Sequence, residues 1–481
     1  MSEPVVGKKD QVGKKVDPGY VLFLCSGATF MAFLDLSVVN IAFPSILEHF
    51  PGTSIDTLTW IISGYAVMFA AMLTPAGRLA DTFGRTEMFL VSLLGFILAS
   101  LACGAAPTVG WLIGARFLQG ALAAGMIPAA LGLILSTTPR ERIPKAIGAW
   151  SAAAGFSAVI GPAVGGLLVE AFGWRSVFVI NGPIGLVLLF LAWRALPRRL
   201  PTPGGAKLPD WIGTIALALG IGSVVTALTE GDHWGWSDAK TIGMLVAGLV
   251  LTAAAWMKSR NHDAPAIDVS LWSSKKYAMC NVASAILGAS MFAWLLGAPL
   301  FASTIWHWSI LESAAALSIG AVASMIGSTV AGNMKKPGMQ RWTAVTGILM
   351  FAASNAIWAS SLYGSEPNFW VAWVPSGLLG GGGLGLALTA LSSAAATAVP
   401  PMKFAAGVGM NLTARQVGGA LGTAMLAAVM ASNAAPGSID AFHDVYAVSL
   451  VIALLAAVAA LGVVDPKPVS QRDSVSTSST G

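Results

Sequence analysis

The sequence predicts an all-α integral membrane protein, and three observations support that fold class. Hydrophobic residues make up 56% of the 481 residues, only 10% are charged, and the mean hydropathy is +0.74. A soluble domain carries about a quarter charged residues. Apolar windows long enough to cross a bilayer recur along the chain. The basic residues are also sorted by loop, so the net charge of +5 does not indicate a nucleic-acid partner.

Fourteen apolar windows of roughly 20 residues are predicted to be transmembrane helices. They lie near 20–43, 58–77, 87–106, 109–136, 145–170, 176–196, 211–230, 240–257, 277–302, 312–333, 341–363, 369–395, 404–432 and 444–464. An even number of spans places both termini on one side of the membrane.

Basic residues test this topology. When the loops alternate between sides, 23 of the 27 Lys and Arg residues fall on the side of the termini, and only Arg175 and Lys240 fall on the opposite side. Such a bias marks the cytoplasmic side. A missed or extra span would invert the later loops, so the count supports fourteen spans with both termini in the cytoplasm.

A weak internal repeat indicates how the spans are grouped. The segment TPAGRLADTFGRTEMFLVSLLG (74–95) is echoed by STVAGNMKKPGMQRWTAVTGIL (328–349), an offset of eight spans. Two six-helix bundles with two helices inserted between them give that offset. The predicted divisions are a cytoplasmic tail (1–19), a first bundle (20–200), an inserted helix pair with its linker (201–270), a second bundle (271–466) and a disordered cytoplasmic tail (467–481).

Several motifs that would indicate an enzyme or an ATP-driven pump are missing. No GxxxxGK[ST] phosphate loop occurs, and GGGGLG (380–385) lies inside a span, where small residues favour close helix packing. The five histidines lie in loops or at span ends, and the three cysteines lie in apolar windows without metal-site spacing. We therefore expect neither an enzyme nor a bound cofactor or metal.

Three ionisable residues lie well inside predicted spans: Asp35, Arg116 and Arg415. At 1.5 Å per residue, Asp35 and Arg116 lie roughly 12 Å and 10 Å below the same membrane surface. Burial favours the neutral carboxylic acid, whereas a nearby arginine favours the carboxylate. The pair is therefore predicted either to titrate or to be a structural ion pair. Arg415 is predicted either to contact substrate or a gate, or to hold helices together.

Two glycine-containing motifs stand out. The turn after the second span reads GRLADTFGR, with Gly77, Arg78, Asp81, Gly84 and Arg85. The fifth span contains AAGFSAVIGPAVGGLL, with Gly155, Gly161, Pro162, Gly165 and Gly166. A basic turn and ordinary helix packing explain both motifs in part, but the complete patterns are more specific than those roles require.

These residues resemble the major facilitator superfamily, and within it the fourteen-span drug:proton antiporters. GRLADTFGR is similar to the superfamily's loop signature. LIGARFLQGALAAG (112–125) resembles the span-four signature for proton coupling, IGPAVGG (160–166) the antiporter signature, and LDLSVVNIAFPSI (34–46) the span-one signature. One departure is that Thr86 and Glu87, rather than further basic residues, follow Arg85.

The resemblance implies two bundles that rock around a central cavity. It places Asp35 and Arg116 facing that cavity as the proton-coupling pair, with Asn40, Gln119 and Arg415 as candidate substrate or cavity residues. The loop signature would latch the cytoplasmic side, and the span-five glycines would let the bundles close tightly. The family also implies a monomer in the bacterial plasma membrane, driven by the proton gradient.

The implied function is proton-coupled efflux of a drug or antibiotic. A single buried acid favours a lipophilic cation, and the layout resembles the self-resistance exporters of actinomycetes, which points to a substrate such as a lincosamide. If Asp35 is structural, Glu230 or Glu312 would have to couple protons. An exporter of an endogenous metabolite or lipid remains the alternative, while IGPAVGG disfavours an importer.

Overall fold

The described part of the chain is helical throughout. The computed structural model describes residues 17–464 except 197–209, 263, 335–337, 434 and 436, and these residues contain no strand. The helices are α1 (Pro18–His49), α2 (Ile55–Phe83), α3 (Arg85–Gly104), α4 (Val109–Thr137), α5 (Ile143–Phe172), α6 (Ser176–Val179), α7 (Asn181–Ala195), α8 (Trp211–Trp234), α9 (Ala239–Ser259), α10 (Lys275–Thr304), α11 (Ile310–Asn333), α12 (Met339–Trp358), α13 (Val374–Thr397), α14 (Phe404–Ser432) and α15 (Ile439–Leu461).

Short polar side chains start many of these helices. Each accepts a hydrogen bond from a backbone N–H of the first turn, which would otherwise be unsatisfied. The capping residues are Asp17, Ser54, Thr108, Asp210, Asp238, Ser274, Ser309 and Ser438. Helix α14 lacks a cap from its own chain neighbours, and its first N–H groups are satisfied from elsewhere in the fold.

Every predicted window overlaps a helix, but not every helix is equally apolar. Among the described residues, twelve helical segments are long and apolar enough to cross a membrane, with α6 and α7 together forming one of them. Helices α12 and α14 fall outside this set because polar residues such as Arg341, Asn355 and Arg415 interrupt them. The fourteen-span count therefore stays a prediction.

The helices form two packed groups. In the first bundle, α2 and α3 pack on α4, and α1 packs on α5. In the second, α10 packs on α14 and α15, while α13 packs on α11 and α12. Helices α5 and α11 join the bundles on one side, and α2 and α14 join them on the other. The predicted tails 1–19 and 467–481 lie almost entirely outside the described residues, as does most of the linker at 201–210.

Helices α8 and α9 lie against each other, and α8 also packs on α2 and α14. This helix pair therefore contacts both bundles along the seam where they meet. We call the face at which α1 begins, α2 ends and α14 begins the terminal face, and the other side the opposite face. The connection between α8 and α9 lies at the opposite face, and the α9–α10 connection returns to the terminal face.

The outer helices present apolar side chains outward. Val91 of α3 is 66% exposed, Val187 of α7 is 59% exposed and Leu249 of α9 is 62% exposed. A continuous apolar exterior is costly in water but matches lipid tails. The molecule is therefore built as a multi-pass membrane protein whose polar groups are turned inward.

Asp210 offers a test of how the α8–α9 pair is held at the terminal face. It caps α8 through the Gly213 N–H and pairs with Lys258 of α9 at 2.7 Å. Burial raises the pKa of the Asp210 carboxyl, but the hydrogen bonds from Lys258 and Gly213 outweigh it and hold the pKa below its ordinary value of about 3.9. The ionised form therefore stabilises the fold above about pH 4, and that stabilisation is lost as the pH falls through the lowered pKa.

We expect Asp210→Ala to lower the free energy of unfolding by about 1–2 kcal/mol, and Asp210→Asn by less than about 1 kcal/mol, because asparagine keeps the cap and loses only the ion pair. Thermal unfolding of the detergent-solubilised protein, followed by tryptophan fluorescence, measures both. The difference between wild type and Asp210→Asn should shrink below about pH 4. Identical unfolding of wild type and Asp210→Ala would contradict this role.

Candidate functional site

A buried polar cluster in the first bundle contains the predicted proton-coupling pair. Asp35 lies on α1 and Arg116 on α4, and the Arg116 Nη1 lies 2.6 Å from Asp35 Oδ2. The other carboxylate oxygen, Oδ1, accepts hydrogen bonds from Gln119 Nε2 at 2.9 Å and from Asn181 Nδ2 at 2.8 Å. Three side chains from two other helices therefore hold one carboxylate, and this arrangement fits its ionised form.

The guanidinium of Arg116 is held on several sides. Its Nε donates to the Ile61 carbonyl at 2.9 Å, and its Nη1 also donates to Gln119 Oε1 at 2.8 Å. The Tyr65 ring lies 4.3 Å below the guanidinium carbon. The buried Nη2 has no hydrogen-bond acceptor. Since a cation over an aromatic face is favourable, the Tyr65 ring offsets part of the missing hydrogen bond.

The pair does not face an open cavity. Asp35, Arg116 and Gln119 are each 0% exposed, whereas the family resemblance placed the pair facing the central cavity. The difference arises because the Asp35 side chain points into the first bundle, toward α4 and α7. In this structure the carboxylate is closed off from solvent, so water must enter or the helices must move before its proton can exchange.

The remaining predicted cavity residues are not brought together. Gln119 joins the cluster because it follows Arg116 by three residues on one helix face. Asn40 is exposed and lies about 140° around α1 from Asp35, since five residues turn a helix by 500°. Arg415 lies on α14 of the second bundle. The predicted set is therefore split between three locations.

Sequence reasoning missed two neutral members of the cluster, Asn181 and Tyr65. Asn181 opens α7 and is 1% exposed, and its Nδ2 also donates to Ser100 Oγ at 2.9 Å. Tyr65 is 0% exposed and its hydroxyl faces the Ala32 carbonyl. A buried asparagine beside glycine and proline, in the sequence INGPIG, was the available signal. Asn181 is neither ionisable nor part of the motifs that carry the family resemblance, so neither criterion marks it.

The loop motif forms a second site, at the terminal face. Asp81 at the end of α2 accepts hydrogen bonds from the backbone N–H groups of Ala405 (3.3 Å) and Ala406 (2.8 Å), in the first turn of α14. This carboxylate thus supplies the cap that α14 lacks, and the helix dipole favours its negative charge. Asp81 is 1% exposed. An acid in one bundle therefore closes a helix end in the other.

Arg85 strengthens this contact. It pairs with Asp81 at 2.6 Å, and its Nη2 donates to the Pro401 carbonyl of the second bundle at 2.6 Å. Gly84, at φ +114°, permits the sharp turn between α2 and α3 that directs Arg85 across the seam. Gly77 packs directly on the Ala405 backbone. The predicted latch residues are thus gathered at one interface, together with Arg78.

Arg78 binds the segment between α9 and α10, for which the sequence predicts no role. Its Nε donates to the Pro265 carbonyl at 3.1 Å. Pro265 belongs to the connector, which we define as residues 260–274 between α9 and α10. On its other side, the connector's Asp268 pairs with Lys403 of the second bundle at 2.6 Å. The connector therefore joins α2 to the start of α14 from the terminal side.

The Asp268–Lys403 pair keeps its charge over a wide pH range. Burial raises the pKa of the Asp268 carboxyl, but hydrogen bonds from Lys403 and Ser270 and the charge of Arg78 outweigh it, leaving the pKa below its ordinary value. The ionised pair is present above about pH 4 and is lost only as the pH falls further. This contact is therefore insensitive to pH changes near neutrality.

The span-five glycines mainly pack helices of the same bundle. Gly161 and Gly165 lie against Ser37 and Val38 of α1, and Gly155 is the one that faces the second bundle, at Met325. Pro162 lies within α5, and a side chain on Gly166 would meet no atoms. Where α5 meets α11, the tight contact between the bundles is instead made by Gly148 and Gly332. A Cβ on Gly148 would lie 3.0 Å from the Gly332 Cα.

Glu312 and Glu230 are the two other acids predicted as alternatives for proton coupling. Glu312 is exposed and forms the capping box of α11 with Ser309. Glu230 of α8 is 4% exposed and is hydrogen-bonded by Ser63 near the opposite face. In the described chain, no group of three His, Cys, Asp or Glu side chains is arranged to hold a metal ion. Asp35 is the acid with the most extensive set of partners among these three.

Known proteins resemble this chain along most of its length. It is 34% identical over 412 residues to the puromycin resistance protein pur8 of Streptomyces alboniger, covering 85% of this chain and 80% of that protein. It is 31% identical over 454 residues to the methylenomycin A resistance protein of Streptomyces coelicolor, covering 89% and 88%. The tetracenomycin C resistance and export protein of Streptomyces glaucescens is 31% identical over 437 residues, covering 90% and 79%.

The fold is also found among solved structures. The crystal structure of the human organic anion transporter MFSD10 (TETRAN) superposes with a TM-score of 0.67 at 13% identity, covering 91% of this chain and 99% of that one. This similarity concerns the fold alone. The sequence profile of the Major Facilitator Superfamily matches residues 25–337. Together with the relatives above 30% identity, that match shows that this multi-pass membrane protein belongs to the Major Facilitator Superfamily.

Proposed function

We propose that the protein exports an antibiotic or related drug in exchange for protons, by alternating access, and so confers resistance. The observation that carries the proposal is the closed cluster of Asp35, Arg116, Gln119 and Asn181. Its relatives are named as resistance and export proteins. A carboxylate sealed inside a helix bundle is costly to keep, and proton coupling gives a reason to keep it.

The coupling step follows from the hydrogen bonds around Asp35. When a proton neutralises the carboxylate, the attraction to Arg116 is lost, and one oxygen becomes a donor rather than an acceptor. Arg116 is then left as a buried, poorly paired charge, which is unfavourable. Rearrangement of α1 against α4 relieves this cost. Protonation therefore changes the relative stability of two arrangements of the first bundle, as antiport requires.

The seam at the terminal face is the proposed gate. Asp81, Arg85 and the connector all join the bundles there, and the Thr74 and Thr413 hydroxyls hydrogen-bond at 2.7 Å deeper in the seam. With the terminal face taken as cytoplasmic, this arrangement is closed to the cytoplasm. The connector gives the α8–α9 pair a function, because it ties the pair to both halves of the gate.

The number of spans, the oligomeric state, the membrane orientation and the energy source are also part of this proposal. Fourteen spans, with α8 and α9 inserted between bundles at 20–200 and 271–466, account for the helices and for the basic bias of the terminal side. The protein acts as a monomer in the bacterial plasma membrane with both termini in the cytoplasm. It takes its energy from the proton gradient and needs no cofactor.

The first prediction from the proposed function concerns Asp35. In everted vesicles with an imposed pH gradient, addition of substrate should collapse the gradient with wild-type protein and not with Asp35→Asn, because the amide cannot take up a proton. Puromycin, lincomycin and cationic and anionic dyes form the substrate panel. Glu48→Gln is the matched control, since it is the same acid-to-amide change at an exposed position of α1, and it should retain exchange.

Asp35→Glu should restore part of the exchange, because it returns the titratable group in a longer side chain. Equal amounts of folded protein must be confirmed by size-exclusion chromatography. If Asp35→Asn still exchanges protons for substrate, then Asp35 is structural and Glu230 becomes the coupling acid. If a metabolite extract alone collapses the gradient, the cargo is endogenous.

The second prediction concerns the connector. Asp268→Lys should repel Lys403 and Arg78 and loosen the gate, lowering export. The charge exchange Asp268→Lys with Lys403→Asp should recover export, because it restores one attractive pair. Vesicle transport by both variants and by Lys403→Asp alone measures the coupling. Identical activity in all four proteins would show that the connector does not take part in gating.

The third prediction concerns Asp81. Its replacement by alanine removes the cap of α14 and the partner of Arg85, at a cost of about 1–2 kcal/mol to the closed gate. Maleimide labelling from the cytoplasmic side, at a cysteine introduced for Thr413, should therefore increase several-fold. The native cysteines are buried, so background labelling is low. Unchanged labelling would refute the latch role of Asp81.

A further inference from the structure

Arg415 is a charged residue midway along a membrane helix whose guanidinium has no partner in the described chain. It lies eleven residues into the 29-residue α14, roughly 16 Å from the start of the helix. Among the described residues, no hydrogen bond, ion pair or acidic neighbour is found for its guanidinium. Arg116 in the first bundle, by contrast, forms an ion pair with Asp35. An unpartnered arginine inside a membrane protein therefore calls for a ligand.

Along α14, Arg415 lies close to the contacts that join α14 to α2 at the seam. Thr413, two residues earlier, makes the hydrogen bond to Thr74 that lies deepest in the seam among those joining α2 and α14. Arg415 therefore lies just beyond the closed part of the interface, on the side of the opposite face. Its backbone packs on Gly288 of α10. One turn earlier, Asn411 donates to Ser284 of α10 at 3.1 Å, so this face of α14 is polar and points inward.

The side chain is also partly exposed. Lipid contact does not explain this exposure, because Leu421, which is 49% exposed, lies about 120° around the helix. Charged side chains within the membrane almost always face the bundle interior or a water-filled cavity. The partial exposure of the Arg415 side chain therefore indicates water-accessible space inside the protein, on the side of α14 that faces α10.

Neither Asp35 nor Glu230 compensates the positive charge of Arg415. Asp35 is 0% exposed and already accepts three side-chain hydrogen bonds, so it offers no free counter-charge to a cation. Glu230 is held by Ser63 on the side of α8. The expectation of a cationic substrate, which relied on Asp35 as the counter-charge, thereby loses its physical basis.

We propose that Arg415 binds an anionic group of the exported molecule, such as a carboxylate or a phenolate. The planar guanidinium presents donors in a fork that matches such groups. The Phe292 ring packs on Gly419, one turn further along α14, and offers an apolar surface next to the charge. The substrate class is therefore an amphipathic aromatic anion. This inference rests on the proposed export function and adds the charge of the cargo to it.

Two dyes that share a xanthene scaffold test the proposal. Fluorescein is anionic at mildly alkaline pH, and rhodamine 123 is cationic. Their binding to the purified, detergent-solubilised protein is measured by fluorescence anisotropy for wild type, Arg415→Gln and Arg415→Lys. Arg175→Gln is the control, since it removes an arginine that contacts His49 in a loop at the opposite face. Thermal unfolding confirms that each variant is folded.

We expect wild type to bind fluorescein, and Arg415→Gln to bind it about 10- to 100-fold more weakly, as for loss of a charged hydrogen-bond partner. Arg415→Lys should recover part of the affinity, while Arg175→Gln should match wild type. Any rhodamine 123 binding should be unchanged or stronger in Arg415→Gln.

Equal fluorescein binding by wild type and Arg415→Gln would overturn the proposal, as would wild-type protein that does not bind fluorescein. The assay uses no membrane and no proton gradient. A failure of proton-driven exchange in vesicles would therefore refute the export function without changing the binding result, and a failure of dye binding would refute the charge preference alone.

Discussion

A carboxylate placed among apolar helices must be supplied with partners, and this constraint organises the first bundle. Asp35 accepts hydrogen bonds from Arg116, Gln119 and Asn181. These contacts fix the rotation of α1 against α4 and α7. Because the set is complete only while the carboxylate is charged, gain of one proton weakens several helix contacts at once. The interaction that stabilises the bundle is therefore also the one through which a proton can alter it.

A second buried carboxylate obtains its partners across the seam between α2 and α14. Asp81 satisfies N–H groups at the start of α14, so separating the bundles exposes an uncapped helix and a buried acid together. The connector adds the Asp268–Lys403 pair, which stays ionised well below neutral pH. In the proposed mechanism the Asp268–Lys403 pair therefore stays charged near neutral pH, whereas the proton is taken up in the core of the first bundle. Arg415, the proposed anion-binding residue, lies on α14 two residues beyond the Thr413 contact with Thr74.

Composition and periodicity predicted the helices, and depth along two spans predicted that Asp35 and Arg116 would meet. Asn181 was missed because a neutral amide in an apolar helix has no charge to mark it, and its partner lies 146 residues away. Asn40 lies about 140° around α1 from Asp35, an angle that helix geometry already gives from the sequence. The Gly148–Gly332 contact between bundles could not be found, because which helices cross at a seam depends on tertiary packing that one sequence does not encode locally.

The central claim is that the Asp35 carboxylate changes protonation state as part of the transport cycle. Infrared difference spectroscopy of the purified protein, wild type against Asp35→Asn, tests it most directly. The spectra record the carbonyl band of a protonated carboxylic acid as the pH is lowered. The account predicts that a band appears in wild type, is enhanced or reduced when substrate is added, and is missing from Asp35→Asn. A wild-type spectrum without that band, or one unchanged by the substitution, would contradict it.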